Sequence, residues 1–155
     1  MIANVIDNHI LCWDTRQYSS KPAFKIENAH LSPIRDIDFN PNKPYACCTG
    51  GEDLNIRFWD IRKNQNYICS FEEDSHWVLG VRYNRYHDQL VLTSSSSTYV
   101  SLWRAASCSS INSLLASNSI THQEGKDKDA LIETYEHEET IYSIEWSAAE
   151  AWIFA

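Results

Sequence analysis

Three tryptophans recur at almost constant intervals along this chain. Trp13, Trp59 and Trp103 are separated by 46 and 44 residues, and each ends a segment in which apolar and polar residues alternate as in a β-strand. A period of roughly 40–45 residues, with four strands in each repeat, is typical of β-propeller blades. The spacing therefore predicts an all-β fold, one that normally supplies a binding surface and not a reaction centre.

The apolar positions between the tryptophans repeat as well, which identifies the blades. Three segments share one pattern: His30, Ile34, Ile37 and Phe39; His76, Val78, Val81 and Tyr83; and His137, Ile141, Ile144 and Trp146. The four strands of a blade are lettered a to d in chain order. We expect strands c and d of one blade over 5–29, a blade over 30–75, a blade over 76–136 and the start of a further blade over 137–155. This is a partial propeller of about three blades.

One set of polar residues in the blade over 30–75 resembles the structural tetrad of WD repeats. In that tetrad an Asp orients a His, and the His reaches a hydroxyl that contacts the Trp indole; the corresponding residues are His30, Thr49, Asp53 and Trp59. The same types also suggest a catalytic triad. The repetition of the set as His76, Thr93 and Trp103, with Ser97 at the position of Asp53, favours a structural role, since a catalytic group has no reason to recur in each blade. We predict no catalytic residue and no enzyme activity.

The ends of the chain fall inside blades in this interpretation. Asp7 to Asp14 matches a b–c turn and strand c with no strand a before it, and Ala151 to Ala155 matches a strand b with no later strands. Because open blade faces expose apolar surface, we expect a fragment, an alternative product, or a piece that completes its ring with another chain.

Charge and cysteine content restrict the class of partner. The net charge of −8 and a pI near 5.1 give no attraction for nucleic acid or anionic membranes, and no apolar run approaches the length of a membrane span. We expect a cytoplasmic protein. The five cysteines show no Cys-x-x-Cys spacing and predict no disulfide. Cys47 and Cys48 are adjacent on a strand and point to opposite faces, which argues against a metal site; no cofactor is predicted.

The third blade carries an insertion at about residues 105–130. It is rich in serine and ends in the charged run Glu124 to Asp129. Two interpretations remain open: a surface excursion, or a regulated, partner-binding segment that accepts phosphate.

Several longer motifs carry a more specific resemblance. They are Ile26 to His30, Arg35 to Lys43, Phe58 to Asp60, Ser75 to Val78, Val81 to Asn84, His87 to Leu90, Thr134 to Glu138 and Trp152 to Ala155. Together they resemble the C-terminal half of the WD-repeat EARP and GARP complex-interacting protein family. EARP and GARP are the endosome-associated recycling and Golgi-associated retrograde tethering complexes. The resemblance implies a ring of about seven blades, of which this chain supplies about three. It also implies a scaffold that binds tethering subunits, lies peripherally at the trans-Golgi network and endosomes, and supports endocytic recycling and endosome-to-Golgi transport.

An alternative function comes from two short boxes. Trp13 to Arg16 and Trp59 to Arg62 both match the WD-x-R motif of substrate receptors of cullin-4 ubiquitin ligases. In that interpretation Arg16 and Arg62 lie near the ligase adaptor. The competing interpretation is that each arginine pairs with a neighbouring carboxylate, an interaction of small energy.

Overall fold

The computed structural model describes residues 2–17, 19–63, 66–73, 76–110 and 128–155. It contains eleven strands in three antiparallel sheets, which confirms the all-β, partial-propeller prediction. The strands are β1 (Ile2–Ile6), β2 (His9–Trp13), β3 (Phe24–Ile26), β4 (Ile34–Phe39), β5 (Ala46–Gly51), β6 (Asn55–Asp60), β7 (Cys69–Glu72), β8 (Val78–Tyr83), β9 (Leu90–Ser95), β10 (Tyr99–Arg104) and β11 (Ala130–Glu136). A short 3-10 helix, Ala106–Cys108, follows β10.

Each sheet follows the order of the chain, as in a propeller blade. The second and third blades are the four-stranded sheets β4-β5-β6-β7 and β8-β9-β10-β11, and the first blade is the three-stranded sheet β1-β2-β3. The sequence had indicated only strands c and d in the first blade. The structure adds β1 ahead of them, paired with β2 from Ile2 opposite Trp13 to Ile6 opposite His9. The segment Ile2–Ile6 has only five residues and does not alternate apolar with polar types, so it was not recognised as a strand.

The core lies between the sheets, and it follows from the alternation of each strand. Trp59 faces the first blade and packs with Ile10, Cys12 and Ile26. Ile56 and Phe58, on the opposite face of β6, pack against Val78, Val81 and Tyr83 of the third blade, and Trp103 joins that cluster. Cys47 and Cys48 accordingly fall in different clusters. Trp59 and Trp103 therefore each pack against the preceding blade.

The last segment, 137–155, packs on the third blade without forming regular strands. Ile144, Trp146 and Phe154 lie against Leu92 and Val100. Trp146 and Phe154 form an isolated antiparallel bridge, so the strand predicted at 151–155 is reduced to this pairing. Most of the predicted insertion, residues 111–127, lies outside the described residues. No helix in the described part of the chain is long and apolar enough to cross a membrane.

Candidate functional site

A chain of hydrogen bonds joins four polar side chains inside the second blade. The Trp59 indole Nε1–H donates to Thr49 Oγ1 at 2.8 Å, and Thr49 Oγ1 lies 2.7 Å from His30 Nε2. His30 Nδ1 lies 2.7 Å from Asp53 Oδ1. Strand β5 supplies the hydroxyl, β6 the indole, and the turn between them the carboxylate. These are the four residues that the sequence placed together.

The protonation states follow from the surroundings of this chain. His30 is 1% exposed, and burial lowers its pKa although Asp53 opposes that effect. Burial would raise the pKa of Asp53, but hydrogen bonds from His30 and from the Leu31 N–H outweigh it, so the pKa is lowered. Both lowered pKa values fit a neutral His30 that donates its Nδ1–H to an ionised Asp53. Since Thr49 is also buried, no substrate atom can reach its hydroxyl, and the arrangement holds β5, β6 and the loop before β4 in register.

Gly51 makes room for His30. A Cβ at this position would lie 2.6 Å from His30 Nδ1 and 3.0 Å from Asp53 Oδ1. Only glycine permits that approach without a shift of the backbone or the imidazole.

The third blade keeps the hydroxyl and the indole but replaces the other two groups. Trp103 Nε1–H donates to Thr93 Oγ1 at 2.9 Å. The Thr93 hydroxyl donates to Glu73 Oε2 at 3.2 Å, and the Ser101 hydroxyl donates to Glu73 Oε1 at 2.8 Å. Glu73 is buried. The Glu73 carboxylate therefore provides the partner of the threonine hydroxyl in the third blade, where the second blade uses His30 and Asp53 together.

His76 does not take the place that the sequence assigned to it. Its side chain is exposed, in the loop just before β8. The tryptophans, threonines and apolar strand positions of the two blades are 44 residues apart, whereas His76 follows His30 by 46. Moreover, Ser95 stands where Gly51 stands in the second blade, and its hydroxyl contacts Ser97 Oγ and the Tyr99 carbonyl oxygen. Two features of the sequence could have indicated Glu73. One is a carboxylate 30 residues before Trp103, and the other is a serine, Ser95, at the position that Gly51 holds in the second blade.

The two WD-x-R boxes have nearly the same geometry. Arg16 donates through Nε and Nη2 to the two oxygens of Asp14 at 2.9 and 2.7 Å, and Arg62 donates in the same way to Asp60 at 2.9 and 2.7 Å. Both arginine side chains are largely exposed. Arg62 additionally lies over the Tyr45 ring, 3.4 Å from its centroid. Each arginine is thus held locally by the aspartate of its own box.

A second polar network connects successive blades through their first strands. Asp36 accepts the backbone N–H of Val81 at 3.0 Å, and Asp38 accepts that of Tyr83 at 2.8 Å. The Arg82 guanidinium bonds to Asp36 and lies 3.4 Å from Glu145. Burial raises the pKa of Asp38 against the effect of the Tyr83 N–H. A cleft of about 320 Å³ lies here, lined by Asp38, Phe39, Pro41, Arg82, Tyr83, Arg85 and Glu145. The sequence analysis did not find this network, because its partners are 45 residues or more apart.

Large apolar side chains are exposed in the loops that lead into β4 and β8. Leu31 is 85% and Trp77 47% exposed, and the Arg35 guanidinium lies 5.9 Å from the centroid of the Trp77 ring. Among the described residues no group of three or more His, Cys, Asp or Glu side chains is arranged to hold a metal ion. These loops therefore present apolar and cationic groups side by side.

Comparison with known proteins relates this architecture to one family. Human EARP and GARP complex-interacting protein 1 is 43% identical over 166 residues, which covers 99% of this chain and 42% of the human protein. EARP-interacting protein 1 of Caenorhabditis elegans is 35% identical over 150 residues, covering 93% of this chain and 41% of that protein. The chain thus spans about two fifths of the length of these curated relatives.

The fold recurs in a more distant structure. A chain in a crystal structure of the mitotic checkpoint complex superimposes with a TM-score of 0.67 at 16% identity, covering 91% of this chain and 36% of that one; this likeness concerns the fold alone. At the level of sequence, the profile of the EIPR1 beta-propeller family matches residues 1–103. The repeated sheets, the hydrogen-bonded Thr–Trp pairs and this match together place the chain in the EIPR1 beta-propeller family.

Proposed function

We propose that this chain is part of a non-catalytic scaffold that binds subunits of the EARP and GARP tethering complexes. The observation that carries the proposal is the alignment of 99% of the chain, at 43% identity, with a human protein named for its interaction with those complexes. The role that we propose is support of endosomal recycling and of endosome-to-Golgi retrograde transport. The protein would act in the cytoplasm, peripherally at the trans-Golgi network and endosomes.

The loop surface around Trp77 is the contact that we propose for a tethering subunit. Tryptophan is enriched among the residues that dominate binding energy at protein interfaces, and arginine often accompanies it. Trp77 and Arg35 lie side by side, and Leu31, in the loop before β4, is almost fully exposed. The tetrad of the second blade, in contrast, is buried and supports that blade from within.

A quantitative pull-down tests both parts. The tagged chain is expressed in cells, and the tethering subunits that co-purify are measured by mass spectrometry. We expect Trp77→Ala to reduce their recovery by about tenfold or more, since truncating such a residue costs upwards of about 2 kcal/mol. Trp152→Ala is the matched control, because Trp152 is 71% exposed but stacks on His87, and it should leave recovery unchanged.

The possible outcomes test the proposed function and the proposed contact surface around Trp77 separately. If the folded chain recovers no tethering subunit, the proposed function is wrong. If Trp77→Ala recovers them as well as the parent chain does, the function stands and the assigned surface is wrong. Circular dichroism of each variant establishes that the sheets are retained.

A second candidate function, as a substrate receptor of a cullin-4 ligase, is suggested by the matching geometry of Arg16 and Arg62 in consecutive blades. Both guanidinium groups are exposed beside their own aspartates. Replacing both arginines by glutamate should abolish recovery of the ligase adaptor, and should leave the tethering subunits bound, if this candidate is right. Adaptor recovery that does not change would exclude it.

A further inference from the structure

Two cysteines from different blades meet where the second and third blades pack together. Cys69 opens β7 of the second blade, and Cys108 ends the 3-10 helix that follows β10 of the third. Their sulfur atoms lie 2.9 Å apart, although the residues are 39 positions apart in the chain. Both thiols are free. Sequence spacing gave no sign of this pair, since only the packing of one blade on the next brings it together.

The two thiols have different surroundings, which gives them different chemistry. Cys69 is partly exposed, whereas Cys108 is buried. Hydrogen bonds from the Cys108 thiol, and then from the Ser107 hydroxyl, lower the pKa of Cys69 against the effect of burial. The pKa of Cys108 is raised, since its proton is held by Cys69 and it is also buried. Cys69 is therefore the reactive, accessible thiol and Cys108 the resolving one.

The remaining cysteines are suited to neither role. Cys12, Cys47 and Cys48 are all buried. Burial raises the pKa of Cys12 to about 11, and it raises the pKa values of Cys47 and Cys48 as well. Buried thiols of this kind are inert toward oxidants.

We propose that Cys69 and Cys108 form a reversible disulfide that links the second and third blades when the protein meets hydrogen peroxide. The Cys69 thiolate attacks a peroxide oxygen; the O–O bond breaks, water leaves after protonation, and Cys69 becomes a sulfenic acid. The Cys108 sulfur then attacks the Cys69 sulfur, the S–O bond breaks, and the hydroxyl leaves with the Cys108 proton as a second water. The two thiols are oxidised by two electrons and the peroxide is reduced. A cellular dithiol reverses the reaction by thiol–disulfide exchange.

The bond needs little movement and has a defined mechanical effect. A disulfide requires a sulfur separation of about 2.05 Å, so the two side chains must approach by less than about 1 Å. Cys108 is already fixed by Lys43, whose ammonium donates to the backbone oxygens of Cys108 and Ser109 at 3.2 and 2.6 Å. The oxidised form would hold β7 to the start of the long insertion, and so couple blade packing to the redox state.

The test maps the cross-links that a peroxide produces in the native chain and in the same chain unfolded in urea. Free thiols are alkylated after treatment, and disulfide-linked peptides are identified by mass spectrometry without reduction. We expect the Cys69–Cys108 peptide to dominate in the native sample and to be one of several mixed pairs in urea. Native cross-links with the same distribution as in urea, or a native reaction that begins at Cys47 or Cys48, would overturn the proposal.

Variants distinguish the assigned roles of the two thiols. Cys108→Ser should leave Cys69 as a sulfenic acid that a dimedone probe captures, whereas Cys69→Ser should remove both the probe signal and the cross-link. Cys12→Ser is the matched control in another interface, and it should change neither readout. Oxidation of the parent chain should raise its Tm by roughly 5–10 °C, a rise that is absent in Cys69→Ser. Dimedone labelling of Cys69→Ser equal to that of Cys108→Ser would contradict the assignment.

Discussion

The second and third blades have the same four-stranded backbone arrangement and the same hydrogen bond from a tryptophan indole to a threonine hydroxyl, but their other buried polar groups find different partners. In the second blade Thr49 leads to His30 and then to Asp53, which lies in the turn between β5 and β6. In the third blade Thr93 leads directly to Glu73, at the end of the preceding blade's outer strand. The first arrangement ties a turn to a loop within one blade. The second ties the inner strands of the third blade to the segment that connects it with the second.

The difference shows that the repeat conserves a physical requirement and not a set of residues. A buried indole N–H and a buried hydroxyl each need a partner, and either a His–Asp pair or a single glutamate can provide one. Which solution is possible depends on whether a Cβ is present beside the histidine site. Gly51 admits the imidazole, whereas the third blade has Ser95 at the matching position.

Removing the carboxylate of the second blade should have the largest effect. Asp53→Ala leaves the buried His30 Nδ1–H without its acceptor. It also removes the acceptor of the Leu31 N–H and the ion-pair partner of Arg57. We expect a loss of about 3 kcal/mol in the free energy of unfolding, measured by urea denaturation. Ser97→Ala, at the matching turn position of the third blade, should cost less than about 1 kcal/mol. Equal losses would show that the two turns do not differ as described.

Removing the carboxylate of the third blade should have the next largest effect. Glu73→Ala leaves the Thr93 and Ser101 hydroxyls without the acceptor that both use. The expected cost is about 2 kcal/mol, measured by the same denaturation. The exposed neighbour Glu72 lies on β7 next to it, and Glu72→Ala is a control expected to be nearly neutral. A neutral Glu73→Ala would mean that other groups support the third blade's indole.

Exchanging the small residues beside the histidine site tests the space argument. Gly51→Ser should cost about 2 kcal/mol, since its Cβ would overlap with His30 and Asp53. The reciprocal Ser95→Gly creates no overlap and should cost about 0.5–1 kcal/mol through backbone entropy. Thermal unfolding of the two variants provides the comparison. If Gly51→Ser is the milder change, room beside His30 does not decide between the two arrangements.

Acidification should affect the second blade through His30, by an amount smaller than the substitutions above. Because burial lowers the pKa of His30 in the folded state, the unfolded chain binds a proton first, below about pH 6.5. The stability due to neutral His30 is present above that pH and declines as the pH falls toward the lowered folded-state pKa.

The measurement is the urea midpoint at pH 7.5 and at pH 5.5. The fall in the midpoint should shrink in His30→Gln and persist in His76→Gln, since His76 is exposed. A fall that is equally large in His30→Gln would assign the pH dependence to other groups.

Much of the fold could be predicted because it follows from local periodicity. The spacing of Trp13, Trp59 and Trp103 and the alternation around them locate the sheets, and Cys47 and Cys48 fall on opposite faces as adjacent strand residues must. The group of His30, Thr49, Asp53 and Trp59 was recognised from its residue types. The pattern was less reliable at the edges, where β1 was missed and the segment 151–155 was assigned a full strand.

Tertiary structure decided the features that depend on atoms distant in the chain. His76 lies two residues later in its repeat than His30 does, and it is exposed outside the hydrogen-bonded group of the third blade. The packing of β7 beside β10 brings Glu73 to Thr93 and Cys69 to Cys108. Asp36 and Asp38 likewise find their partners in the next blade. The sequence by itself determined the repeated sheets, because a strand's alternation is a local property. Only the folded chain decided how the blades are joined, because partner choice depends on space and burial between sheets, which no local pattern records.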